Sequence, residues 1–208
     1  MIGVVLMYLN IMCGAFALIT YSANVFQASG SSLDPFTCSI VFAIFQLVGT
    51  CLASQLVDKV GRKALLILSL VGSSFGLSTM GAYQYLYEQG HDVSAFDWIP
   101  VVSLSFVVTV ASIGILPLPF VILAEILPQK LRAVMSSICM LLLSFIAFTT
   151  LKFFPIMLEI IGLHGCMWVF ATSCTAGTFF VIFVMDETKG KVLDVIRIRS
   201  RANSIAPC

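Results

Sequence analysis

The stretch from Trp98 to Leu123 reads WIPVVSLSFVVTVASIGILPLPFVIL and contains no charged residue. A helix needs about 20 apolar residues to cross the hydrocarbon core of a bilayer, and this stretch is long enough. Its second half contains Gly114, Pro117 and Pro119, and each proline removes a hydrogen bond from a helix. The sequence therefore predicts a membrane span whose helix breaks between Gly114 and Pro119. A simple packing kink is the alternative.

The rest of the chain shares this apolar character. Hydrophobic residues make up 60% of the 208 residues and charged residues only 10%, with a mean hydropathy of +1.07. A soluble domain usually carries charge on roughly a quarter of its residues, so this composition fits a chain surrounded by lipid. We expect an all-α integral membrane protein with six transmembrane helices in residues 1–185 and a polar cytoplasmic tail in residues 186–208. The six predicted spans are Gly3–Phe26, Phe36–Val57, Ala64–Tyr85, Trp98–Leu123, Ala133–Leu158 and Cys166–Met185.

The positive charges predict the orientation of these spans. Cytoplasmic loops of membrane proteins carry an excess of lysine and arginine. The loops at 27–35, 86–97 and 159–165 contain neither residue type, whereas Lys152 is the one cation outside the opposite loops and tail. We therefore expect both termini to be cytoplasmic. The remaining cations are Lys59, Arg62, Lys63, Lys130, Arg132, Lys189, Lys191, Arg197, Arg199 and Arg201.

Three short charged clusters lie on the predicted cytoplasmic side, at residues 58–63, 125–132 and 186–191. Each contains acidic and basic residues next to the end of a predicted span. Taken one at a time, they are typical of ordinary interfacial loops. Together they indicate a network of ion pairs between helix ends, which could form and break during a conformational change.

The sequence contains no recognisable set of residues for covalent catalysis. Its seven cysteines have no regular spacing and lie mostly within apolar runs, which favours reduced packing residues over disulfides or a metal site. We find no nucleophile–base pair, metal-binding cluster or phosphate-binding loop. We therefore expect neither an enzyme nor a bound cofactor.

Four motifs follow one another in an order that resembles the sugar-porter family of the major facilitator superfamily. Residues 58–63 are similar to its D/E-R-x-G-R-R loop, and residues 114–120 to its G-x-x-P-x-P-W segment with Phe for Trp. Residues 125–132 supply its acid, proline turn and arginine, and residues 186–190 resemble P-E-T-K-G with Asp for Pro. The resemblance covers nearly the whole chain and matches the C-terminal six-helix half. Two loops look most like those of the insect facilitated trehalose transporters, namely residues 26–35 and residues 92–94 with the following 98–100.

This resemblance implies half of a twelve-helix major facilitator fold, built as two inverted three-helix repeats. It implies transport of a small solute, which in view of the family is a sugar, by alternating access in the plasma membrane. The partner would be an N-terminal six-helix half, and the chain would be a fragment, a truncated isoform or a partial gene model. No acidic residue lies deep within a predicted span, since Asp58, Glu125 and Asp186 are at span ends. This favours facilitated diffusion over proton coupling. The alternative is a binding or regulatory relative that no longer transports.

The resemblance also implies roles for individual residues. The helix break would comprise Gly114, Pro117 and Pro119. The substrate-binding residues would be Asn10, Phe16, Tyr21, Gln46 and Phe120. The cytoplasmic gate would be formed by Asp58, Arg62, Glu125, Arg132 and Glu187.

Several positions depart from the sugar-binding pattern of the family. Asn10 replaces one amide of the seventh helix, whereas Ile11 and Phe16 replace the other two. The Asn-Trp pair of the eleventh helix falls at Leu143 and Ser144. Each lost partner would leave a buried sugar hydroxyl unpaired, at about 1–3 kcal/mol apiece. We therefore expect an intact scaffold with an altered pocket.

Overall fold

The computed structural model describes residues 2–29, 34–90, 98–126 and 132–184, and their regular structure is helical. Four stretches of these residues are long and apolar enough to cross a membrane: Phe36–Val57, Arg62–Glu88, Ile99–Leu123 and Ala133–Val184. This confirms the expected all-α, multi-pass membrane protein. The helices are α1 (Ile2–Met12), α2 (Ala15–Thr20), α3 (Ser22–Ala28), α4 (Pro35–Val60), α5 (Arg62–Glu88), α6 (Ile99–Ile113), α7 (Leu118–Ile126) and α8 (Arg132–Val184).

Helix α8 is folded back on itself near its middle. Gly162 has φ 71° and ψ 173°, a conformation outside the helical region that a residue with a Cβ rarely adopts. The rings of Phe154 and Phe170 stack with their centroids 6.0 Å apart. Residues sixteen positions apart would be separated by about 24 Å along a straight helix. The helix therefore consists of two arms, residues 132–161 and 163–184, that pack against each other.

The first predicted span is not one continuous helix. The sequence predicts an uninterrupted span over Gly3–Phe26, but the structure divides this region into α1, α2 and α3. Gly14 has φ 77°, a left-handed conformation that separates α1 from α2. Tyr21 separates α2 from α3 with φ −105° and ψ 23°. The sequence did not predict these breaks, because a single glycine surrounded by apolar residues is a weaker signal for a helix break than a pair of prolines.

Helix α5 lies at the centre of the packing, between α6 and α8, while α4 packs on the far side of α6 and α1 packs on α8. The main apolar core joins α5, α6 and both arms of α8. Its fully buried members include Leu66, Leu70 and Leu77 of α5 and Ala111 of α6. A second set, which we name the apolar cluster, consists of Met7, Ile11, Leu123, Cys139 and Leu143.

Candidate functional site

The helix that begins at Ile99 is interrupted next to its two prolines. Helix α6 ends at Ile113, and α7 begins at Leu118. The chain between them keeps some backbone hydrogen bonds. The Leu116 N–H donates to Ala111 O, five residues earlier, at 3.0 Å, and the Leu118 N–H donates to Gly114 O at the regular spacing of four residues, also at 3.0 Å. A regular helix would also need N–H groups at positions 117 and 119, and proline has none. The carbonyls of Ile113 and Ile115 therefore lose their usual helical donors.

Two polar side chains from other helices bind the freed backbone of Ile115. The Asn10 side-chain amide of α1 donates to Ile115 O at 2.5 Å and to Leu116 O at 3.2 Å. The Ser69 hydroxyl of α5 accepts the Ile115 N–H at 3.0 Å. Asn10 and Ser69 are both buried. Since a buried backbone group without a partner costs free energy comparable to a lost hydrogen bond, these contacts stabilise the interruption.

Gly114 allows α5 to approach the interruption closely. A Cβ atom at this position would lie 2.3 Å from the Ser69 Cβ and 2.9 Å from the Leu65 carbonyl oxygen. The second of these atoms belongs to the backbone and cannot rotate away. Glycine is therefore required for the Ser69 hydroxyl to reach the Ile115 N–H.

A cleft of about 600 Å³ lies between α4 and the interrupted helix. This volume is within the usual range for a small-molecule site. Its polar side chains are Gln46, Thr50, Ser54 and Ser112, and its apolar side chains include Phe120. The whole lining is Gln46, Thr50, Ala53, Ser54, Val57, Ser112, Leu116, Pro117, Leu118, Phe120 and Val121.

The hydroxyl groups of the cleft keep hydrogen-bonding capacity for a ligand. The Thr50 hydroxyl donates to Gln46 O at 3.0 Å, and the Ser54 hydroxyl donates to Cys51 O at 2.8 Å. Each of these oxygens still has lone pairs that can accept a hydrogen bond. The Ser112 hydroxyl oxygen is buried and does not reach the cleft surface, whereas the Gln46 amide carries both donors and an acceptor. The cleft can therefore both accept from and donate to a polar ligand.

The apolar cluster contacts α7 from α1 and α8, whereas the cleft lies between α7 and α4. It joins α1, α7 and the first arm of α8, and both Phe16 and Phe120 pack against it. Ile11, Phe16 and Leu143 are positions at which the family resemblance places hydrogen-bonding residues. In this chain the three side chains share one apolar environment.

The structure places only part of the predicted substrate set at the cleft. Gln46 and Phe120 line it, together with Pro117 of the interruption. Asn10 instead binds the backbone of the interruption, and Phe16 packs against the apolar cluster. The Tyr21 hydroxyl donates to Leu151 O at 3.2 Å, and its ring stacks on Phe154.

The predicted cytoplasmic gate falls largely outside the described residues. Arg62 begins α5 and is partly buried. Near it, the Lys63 ammonium donates to the Ile182 carbonyl of α8 at 3.1 Å. This contact joins the first turn of α5 to the last turn of α8. The side chains of Asp58, Glu125 and Arg132 and the whole of Glu187 lie outside the described part of the chain.

Sequence reasoning missed three polar residues of the cleft, namely Thr50, Ser54 and Ser112. A signal for two of them is present in α4. Gln46, Thr50 and Ser54 are spaced four residues apart, which places them on one face of a helix. A polar stripe of this kind in an otherwise apolar span indicates a face turned toward a cavity. Ser112 has no comparable signal, because serine is common in this span.

The fold and the cleft together define a class of protein. It is a multi-pass helical membrane protein in which an interrupted helix borders a polar cleft, and secondary transporters use interrupted helices at their substrate sites. Residues 1–198 match the family model described as sugar (and other) transporter. The chain belongs to this family.

Relatives of the chain include two insect proteins named facilitated trehalose transporter Tret1. The protein from Bombyx mori is 38% identical over 204 residues, which are 98% of this chain and 40% of the relative. The protein from Polypedilum vanderplanki is 36% identical over 196 residues, covering 94% of this chain and 39% of the relative. The chain thus spans about two fifths of the length of these relatives. Both are named as transporters and not as enzymes.

Two solved structures have a similar fold. A D-xylose-proton symporter superposes with a TM-score of 0.78 and 26% identity, covering 91% of this chain and 43% of the symporter. The proton:xylose symporter XylE bound to 6-bromo-6-deoxy-D-glucose gives a TM-score of 0.77 and 25% identity, with 91% and 40% covered. These matches assign the helices to the major facilitator superfamily.

Proposed function

We propose that this chain is the C-terminal six-helix half of a sugar carrier that works by alternating access. The observation that carries the proposal is the cleft of about 600 Å³, in which amide and hydroxyl groups and an aromatic ring face the interruption between α6 and α7. Sugars present many hydroxyl groups and apolar ring faces, so they need such a mixture. The named relatives support a sugar as the solute class.

We propose six membrane crossings, and the arrangement of the helices supports this number. Helices α1–α3 would form one crossing, α4 and α5 one each, α6 and α7 together another, and the two arms of α8 the last two. The fold-back at Gly162 supports counting α8 twice. An even number places both termini on the same side, and the positive charges favour the cytoplasm. Residues 1–185 would be the membrane domain of a plasma-membrane protein, and residues 186–208 its cytoplasmic tail.

In the proposed site, the Gln46 amide and the hydroxyls of Thr50 and Ser54 would bind sugar hydroxyls, while the Phe120 ring would contact an apolar sugar face. No carboxylate belongs to the described lining of the cleft. Proton-coupled carriers use ionisable residues within the membrane as relays. The composition of the lining therefore favours facilitated diffusion. Pro117 would position the interrupted backbone beside the bound sugar.

In the proposed twelve-helix carrier, a second half would cover the open side of the cleft. Because the chain spans about 40% of its Bombyx mori relative, we propose an N-terminal six-helix half as its partner. The central site would then be complete only between the two halves. The surrounding bilayer would cover the remaining apolar surface.

The apolar cluster favours a second candidate function, a binding or regulatory relative that does not transport. Ile11, Phe16 and Leu143 turn part of the expected sugar site into an apolar wall. Such a protein could retain the fold without moving a solute. The cleft on the opposite side of Phe120 is the reason that we favour transport.

Uptake of labelled trehalose and glucose by cells distinguishes these functions. The chain alone should show no saturable uptake, while co-expression with the N-terminal half of the Bombyx mori relative should produce it. Thr50→Val should reduce uptake several-fold at low sugar concentration because a cleft hydroxyl is lost. Thr79→Val is the matched control, since its hydroxyl also donates to the carbonyl four residues earlier and lies outside the cleft. No uptake by well-expressed paired halves would favour the non-transporting relative.

The cytoplasmic gate is a further part of the proposal. We infer that Arg62, Glu125 and Arg132 form ion pairs at the cytoplasmic helix ends, with Asp58 and Glu187 nearby. An exposed pair contributes only about 0–1 kcal/mol, but a partly buried network would shift the balance between two states further. Glu125→Gln in the paired halves should open the cytoplasmic side. Labelling of that side by a thiol reagent measures this effect, and unchanged labelling with unchanged transport would show an ordinary loop.

A further inference from the structure

We propose that Asn10 is a positioning residue that supports the interruption between α6 and α7 and is not a sugar ligand. In this role its side-chain amide replaces the hydrogen bond that Pro119 cannot donate. The consequence for sugar binding rests on the function proposed above. The hydrogen-bond replacement itself does not, because it concerns only contacts within this chain.

The register of the interruption identifies the missing donor. In an α-helix the carbonyl of residue 115 accepts from the N–H of residue 119. Residue 119 is proline and has no N–H. The Asn10 Nδ2 atom lies 2.5 Å from the Ile115 oxygen, in the place of that donor. Asn10 is separated from Ile115 by more than a hundred residues of sequence and is completely buried.

The chemistry of the two partners fixes the orientation of the Asn10 amide. Both Ile115 and Leu116 present carbonyl oxygens, which only accept hydrogen bonds, so the amide nitrogen must face them. An amide nitrogen carries two hydrogens, and the two carbonyls use both. The amide has no donor left for a sugar hydroxyl. Its Oδ1 atom is buried and has no hydrogen-bond partner within the described residues.

Ser69 completes the support from the opposite direction. Its hydroxyl oxygen accepts the Ile115 N–H, so α1 and α5 together bind both backbone groups of one residue. Since Ile115 no longer bonds to Ala111, the Ala111 carbonyl is available to the Leu116 N–H at 3.0 Å. Leu116 and Pro117, which follow this shifted bond, both line the cleft. Asn10 and Ser69 therefore support the backbone that carries part of the cleft lining.

A double-mutant cycle on the 208-residue chain tests the replacement. Asn10→Ala should lower the midpoint of thermal unfolding in detergent by about 4–8 °C, because the Ile115 carbonyl becomes unpaired. Adding Pro119→Ala returns a backbone N–H to position 119, and it should recover about half of that loss or more. Adding Pro117→Ala is the matched control. It returns an N–H opposite the Ile113 carbonyl, which Asn10 does not contact, so no recovery is expected.

A nearly isosteric variant separates a positioning role from a ligand role. At pH 8, Asn10→Asp must either place carboxylate oxygens against two carbonyl oxygens or take up a proton on folding, so it should destabilise the chain at least as much as Asn10→Ala. A sugar ligand would tolerate this change better, because a carboxylate accepts hydrogen bonds from hydroxyl groups. The cycle requires no transport measurement, so a failure of the proposed function leaves it interpretable.

Recovery with Pro119→Ala but not with Pro117→Ala would support the proposal. Equal recovery with both proline variants, or recovery with neither, would overturn it. If Asn10→Ala yields no folded chain, the same comparison is made on the amount of monodisperse protein from the two double variants. A stable Asn10→Asp variant would also overturn the proposal.

Discussion

The two sides of α7 differ in what they can bind. On the side of α4, Gln46, Thr50 and Ser54 bring amide and hydroxyl groups into a cleft. On the side of α1 and α8, the apolar cluster offers only carbon and sulfur atoms from its five members. Phe120 belongs to the lining of the first region and packs against the second. Hydrogen-bonding capacity is therefore concentrated on one side of a shared aromatic ring.

In the proposed carrier, this difference determines where a sugar would bind. A sugar hydroxyl buried without a partner costs about 1–3 kcal/mol, so the apolar cluster would reject a polar ligand. The apolar cluster instead packs α1 against α7 and the first arm of α8. We therefore expect substitutions in the cluster to change stability and substitutions in the cleft to change sugar affinity.

The largest expected effect is that of Leu143→Ala in the apolar cluster. Leu143 is buried, and its truncation should leave a cavity that lowers the free energy of unfolding by about 2–4 kcal/mol. The half-saturation concentration for sugar uptake by the surviving folded protein should stay unchanged. Leu141→Ala is the control, because Leu141 is 70% exposed on the same arm and should cost much less. A large loss of sugar affinity in Leu143→Ala would show that the apolar cluster contributes to sugar binding.

Phe120→Ala should affect both regions, since one ring serves both. We expect a loss of about 2 kcal/mol in the free energy of unfolding and a several-fold rise in the half-saturation concentration. Thermal unfolding and concentration-dependent uptake measure the two effects in the same preparation. Phe120→Trp should preserve most of both properties because it retains an aromatic face. A change confined to stability would assign Phe120 to the apolar cluster alone.

The smallest effect on the fold is expected for Gln46→Leu. The side chain is only partly buried, so the midpoint of unfolding should change little. Loss of one amide from the cleft should nevertheless raise the half-saturation concentration about tenfold, which corresponds to about 1.4 kcal/mol. Leu47→Ala, at a neighbouring position that is 66% exposed, should leave the half-saturation concentration unchanged. Equal half-saturation concentrations in the two variants would show that Gln46 does not bind the sugar.

The features that follow from local chemistry could be predicted from the sequence. Long apolar runs predicted a helical, multi-pass membrane protein because a bilayer offers no other partner for the backbone. The interruption between α6 and α7 lies beside Pro117 and Pro119, whose effect on a helix depends on the residue itself. The family resemblance to sugar porters was confirmed by the match over residues 1–198.

The features that depend on tertiary register could not be predicted in the same way. Asn10 lies in a run of apolar residues, and nothing nearby in sequence indicates that its amide meets the Ile115 carbonyl. The interruption at Gly14 depends on how α1 and α2 pack around a single glycine. The apolar cluster contains residues from three helices. Only the folded chain therefore shows that Ile11 and Leu143 belong to the same cluster.

The most direct test of the central claim asks on which side of α7 a sugar binds. The experiment uses membranes that contain the chain with the N-terminal half of its Bombyx mori relative. A thiol introduced by Thr50→Cys in a Cys51→Ser background reports on the cleft, and the native Cys139 reports on the apolar cluster. Mass spectrometry measures how fast a thiol reagent modifies each position with and without trehalose. With trehalose we expect several-fold slower modification at position 50 and no change at Cys139. Protection of Cys139 with no protection at position 50 would contradict sugar binding in the cleft.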